Sequence, residues 1–75
     1  MGLELARKFE KELNSLESKL LQKGVPPGVA RRSKEFAVHY AQGIAKFGVP
    51  EEAIIDDAIR FAETWAVRLT EAIKV

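Results

Sequence analysis

Phe36-Ala37-Val38-His39-Tyr40-Ala41 and Phe61-Ala62-Glu63-Thr64-Trp65-Ala66 carry one pattern: an aromatic residue followed by alanine, twice, four residues apart. Each copy follows a Gly-Val-Pro signal, Gly24-Val25-Pro26 before the first and Gly48-Val49-Pro50 before the second. Glycine stops a helix because it enters the left-handed backbone region without a Cβ clash. Proline starts one because the N–H it lacks had no intrahelical partner. The stretch therefore predicts two consecutive helices built on one plan, over about residues 27–47 and 50–74.

Ahead of them, Ala6, Phe9, Leu13, Leu16 and Leu20 recur at spacings of 3, 4, 3 and 4. That seam predicts a first helix over about 3–23, widened by Leu3, Leu5 and Leu21. Gly24 is its C-cap, and Lys23 suits the negative end of the helix dipole. In the third helix Ile55, Ala58, Ala62, Trp65, Leu69 and Ala72 form a similar 3–4 seam. Glu51 and Glu52 fall in its first turn, where the dipole favours negative charge. Short connections make neighbouring helices antiparallel. No stretch alternates with period 2. The expected fold is all-α, a single domain over 1–75: a three-helix up-down-up bundle.

Alanines recur every four residues at 37, 41 and 45, and again at 58, 62 and 66. Such rows let two helix backbones approach near the low end of the usual range of about 8–10 Å. Phe36, Tyr40, Phe61 and Trp65 then cover the sides. Ala37, Tyr40, Ala41, Ala58, Ala62, Trp65 and Leu69 are the expected seam. It is either plain core packing or, for one row, an interface with a second copy of the chain.

Composition narrows the functional classes. Apolar residues at 47% and charged residues at 31% fit a folded chain rather than a disordered one. Cysteine is absent, which excludes disulfides and thiolate chemistry, and one histidine cannot supply a His-pair metal site. No apolar run reaches the roughly 18 residues of a membrane span. The N-terminus lacks a signal-peptide pattern. The expectation is a cytoplasmic protein with no cofactor and no membrane association.

Net charge is only +1, but its placement is uneven. An up-down-up bundle gathers Lys19, Lys23, Arg31, Arg32, Lys34, Arg68 and Lys74 at one pole, against Glu17, Glu35 and Glu71. Glu51, Glu52, Asp56 and Asp57 lie at the other. Arg31, Arg32 and Lys34 sit at the positive end of a helix dipole, which is mildly unfavourable. They are either solvated charges near acids of the flanking helices or, with Lys23, an anion site for nucleic-acid phosphates. A helix-turn-helix reading fails because the third helix opens on Glu51-Glu52 and continues to Asp56-Asp57, which repel phosphate.

Residues that could carry chemistry are few. His39 reads as a surface residue without a nucleophile at useful spacing. The quartet Glu51, Glu52, Asp56 and Asp57 lacks the glycine-containing loop of a calcium site and reads as helix-start acids. Ser33 and Thr64 fit no triad. No small-molecule substrate is evident. The functional expectation is a non-enzymatic protein–protein interaction module, self-associating or taking a protein partner. The alternative is a nucleic-acid-binding accessory protein using the basic start of the second helix.

Overall fold

A computed structural model describes the backbone of residues 3–74 and the side chains of 7–73. Three helices account for nearly all of it: α1, Leu3–Gln22; α2, Pro27–Ala45; α3, Glu51–Lys74. The starts of α1 and α2 and the end of α3 fall where expected, while the ends of α1 and α2 and the start of α3 lie one or two residues inside. Gly24 and Gly48 take φ of 86° and 73°, so the left-handed stop is at the glycine itself, after the last helical turn has closed. Pro26 is the N-cap of α2 and Pro27 its first helical residue. The Pro26 carbonyl accepts from Ala30 N–H at 3.0 Å, and Pro50 does the same for Ile54 N–H at 3.0 Å. The proline of each Gly-Val-Pro thus lies just before the first helical residue, so α2 starts where expected and α3 one residue later.

Side-chain contacts fix the topology. Lys34 reaches Asn14 and Glu17, so α2 runs back along α1. Tyr40 reaches Asp57, and Phe36 stacks on Phe61 and Trp65, so α3 reverses again. The two reversals leave α1 and α3 parallel, and Lys19 and Lys23 meet Glu63 on that side. The result is an up-down-up bundle whose largest interface is between α2 and α3. Its long dimension is 40 Å, close to the ~36 Å of a 24-residue helix at 1.5 Å per residue.

The core contains Phe9, Leu16 and Leu20 from α1, Val25 from the first turn, and two rows of small residues. Along α2 the buried row is Ala30, Ser33, Ala37 and Ala41. Along α3, Ala58, Ala62, Ala66 and Thr70 follow Ile54 and Ile55. Ala45 is exposed and ends the α2 row early. Buried hydroxyls are satisfied locally. Ser33 Oγ donates to the Ala30 carbonyl at 2.7 Å, and Thr70 Oγ1 to the Ala66 carbonyl at 2.8 Å. Among the described residues no buried side-chain nitrogen or oxygen lacks a partner.

Tyr40, Trp65 and Leu69 were expected in the seam but stand beside it, half-buried. The physical reason is the choice of row. The 3–4 seam of α3 drifts one way around the helix and the i,i+4 row drifts the other. With alanine at 58, 62 and 66, the i,i+4 row is the one that admits a close neighbour, so burial follows it. Ala72 and Ile73 are therefore exposed. On α1, Leu21 is also exposed, while the side chains of Leu3, Leu5 and Ala6 lie outside the described residues, as does that of Lys74.

Candidate functional site

The two aromatic-alanine copies meet in the α2–α3 interface, and their antiparallel arrangement interleaves them. Tyr40 lies on Phe61 at a centroid distance of 4.8 Å with planes 12° apart. Phe61 lies on Phe36 at 5.5 Å and 27°, and Phe36 on Trp65 at 5.0 Å and 21°. The file therefore alternates between helices: Tyr40, Phe61, Phe36, Trp65. Aromatics four residues apart on one antiparallel helix fall between those on the other, while the alanines turn inward and allow the approach. Each stacked pair contributes about 0.5–1.5 kcal/mol beyond its area burial.

This file is on the outside of the bundle. Phe61 keeps 43% of its surface accessible and Phe36 36%. The hollow beside the rings is lined by Arg32, Glu35, Phe36, His39, Tyr40, Phe61 and Trp65, all on α2 or α3. A neighbouring depression is lined by Phe61, Thr64, Trp65, Arg68 and Leu69. Periodicity sets Phe36 and Phe61 beside the seam and counts Tyr40 and Trp65 in it, but gives no measure of their exposure. A signal was available: α1 has too few large residues to cover both sides of the α2–α3 pair.

Tyr40 Oη donates to Asp57 Oδ2 at 2.8 Å. That hydrogen bond, together with partial desolvation and the carboxylate's charge, raises the phenol above its ordinary value of 10.0.

The basic residues do not converge. Lys34 Nζ turns toward α1, 3.2 Å from Asn14 Oδ1 and 3.4 Å from Glu17 Oε1. Lys23 Nζ lies 3.5 Å from Glu63 Oε2, which Lys19 also approaches at 3.4 Å. Arg32 pairs with Glu35 at 3.0 Å on the aromatic side. Arg31 is exposed and has no ion pair among the described residues. The expected basic pole is thus laced with acids, and Glu63, which sequence reasoning left out of it, accepts two of its lysines. Such exposed pairs contribute at most about 1 kcal/mol each.

Among the described residues no group of three or more His, Cys, Asp or Glu is placed to hold a metal ion, and no helix is long and apolar enough to cross a membrane. Comparison of the chain with protein-family models, curated proteins and solved structures gives no match.

Proposed function

We propose that this chain is a non-enzymatic, cytoplasmic protein–protein interaction module that associates with a second copy of itself through the aromatic face of α2 and α3. One observation carries the reading: four aromatic rings form a continuous file, and its two central members, Phe36 and Phe61, remain substantially exposed. Contiguous exposed apolar surface rimmed by polar residues is the usual mark of a protein interface, and aromatic residues are the typical anchors of one. The rim here carries both signs, Arg32 and Arg68 beside Glu35 and Asp57, which suits a protein surface better than a phosphate backbone.

Sedimentation equilibrium of the wild type and of Phe61→Glu tests it. The wild type is expected to associate in the micromolar range, and the variant to remain monomeric with unchanged helical circular dichroism. A wild type that stays monomeric at millimolar concentration ends this reading.

The second reading is nucleic-acid binding through Arg31 and Arg32, assisted by Lys23 and Lys34. It is favoured by Arg32 lying against the same aromatic hollow, where a base could stack. It predicts binding to single strands that weakens steeply with salt. Absence of binding at low salt rejects it.

A further inference from the structure

The outer face of α3 carries its charges in a self-complementary order. Asp57, Phe61, Thr64 and Arg68 recur at spacings of 4, 3 and 4, and all four are exposed. Asp57 and Arg68 are separated by three helical turns, about 16 Å along the axis, and lie almost in line. Phe61 and Thr64 stand symmetrically between them. Arg68 has no ion pair among the described residues. Asp57 uses Oδ2 for Tyr40, and its other oxygen is open.

Resting on the self-association reading above, we infer that the second copy lies antiparallel along α3, related by a two-fold axis that passes between Ala62 and Glu63. Each Arg68 guanidinium then meets Asp57 of the other copy, and each Phe61 packs beside the other copy's Thr64. Beyond the charges the same symmetry opposes Ala53 to Ala72, both small and exposed, so the helix ends close without a clash. A parallel pairing would set Asp57 on Asp57 and Arg68 on Arg68, and like charges in an interface are strongly disfavoured. An isologous two-fold contact needs a surface that complements itself, and this stripe does so in the antiparallel sense alone.

Charge exchange between separate chains tests the orientation. Asp57→Arg gives the stripe two basic ends and Arg68→Asp gives it two acidic ends. Each variant alone is expected to self-associate at least about tenfold more weakly than the wild type, with like charges opposed at both ends. An equimolar mixture of the two is expected to form a heterodimer at close to wild-type affinity, and the double exchange in one chain to restore the homodimer. Asp57 and Arg68 are exposed, and circular dichroism verifies that the variants remain folded. Single exchanges that associate like the wild type, or a mixture that fails to pair, overturn the antiparallel register. If Phe61→Glu still abolishes association in that case, the aromatic-face reading survives without it.

Discussion

Gly24-Val25-Pro26 and Gly48-Val49-Pro50 are the same three residues, each between two helices, yet the bundle uses them differently. At the first, Val25 N–H donates to the Leu20 carbonyl at 3.0 Å and Gly24 N–H to the Leu21 carbonyl at 3.1 Å, the two bonds of a Schellman motif. Its usual hydrophobic accompaniment is present, because Val25 and Leu20 both lie in the core. At the second, Gly48 N–H reaches the Ala45 carbonyl at a longer 3.4 Å, and the outer bond from Val49 is missing. Val49 is 36% exposed where Val25 is 4%, and Phe47 beside it is 80% exposed. The difference lies in what stands below the turn. Leu20 is a fully buried branched residue; its counterpart four residues before the glycine, Ile44, is only half-buried. Identical residues therefore specify the stop and start of a helix, while the packing beneath decides whether the turn also anchors the fold.

The sharpest way to break that comparison is to truncate the two anchors. Leu20→Ala should destabilise by about 3 kcal/mol, within the range for fully buried leucines, and Ile44→Ala by roughly half as much, since part of its surface already meets water. Urea unfolding followed by helical circular dichroism measures both. Equal losses would mean that the two turns bear on the core alike.

Backbone effects should instead be matched. Gly24 and Gly48 share the left-handed region at φ of 86° and 73°. Gly24→Ala and Gly48→Ala are each expected to lower stability by about 1 kcal/mol, because the cost is set by Cβ against the local backbone and not by burial. A markedly larger loss at Gly24 would show that strain there spreads into the anchored turn. Gly43 supplies the contrast. It sits within α2, and a Cβ built on it meets nothing within 4 Å. Gly43→Ala should therefore stabilise by about 0.5–1 kcal/mol through helix propensity and a less flexible unfolded chain. A thermal scan that shows no rise in Tm would contradict the open environment at that position.

The sequence made the helices legible because their boundaries depend on local backbone chemistry, at Gly24, Pro26, Gly48 and Pro50. The alanine rows were legible because a repeat of small residues has few uses besides close packing. Which large residues share their face was not legible. Trp65 and Leu69 fit a 3–4 seam as well as Ala66 and Thr70 fit an i,i+4 row, and only the crossing of the helices decides between them. Ser33 was overlooked as a core residue because its burial rests on a hydroxyl bond to its own helix backbone, which composition does not announce. Its place in the run Ala30, Ser33, Ala37, Ala41 was the available hint. The basic cluster looked like a site because its partners are far away in sequence: Glu63 is 40 residues from Lys23, and Glu17 is 17 from Lys34.

The two aromatic-alanine copies differ at their second ring, Tyr40 against Trp65, and the phenol gives that difference a titration. Tyr40 donates to Asp57, and its pKa is raised above 10.0, first by that hydrogen bond and then by desolvation and the carboxylate charge. A group whose pKa is higher folded than unfolded adds stability that is complete below the unfolded value and fades as pH rises through the folded one. Stability should therefore decline from about pH 10 upward, as the phenolate forms beside Asp57. The effect is small, because the group is open to solvent. Tyr40 is the chain's one tyrosine, so ultraviolet absorbance of the phenolate follows it without overlap from another. The wild type should titrate above 10, and Asp57→Asn should bring the midpoint back toward the ordinary value. Tyr40→Phe should remove this component of the alkaline decline while keeping the ring on Phe61. A midpoint unmoved by Asp57→Asn would show that the carboxylate does not hold the phenol in solution.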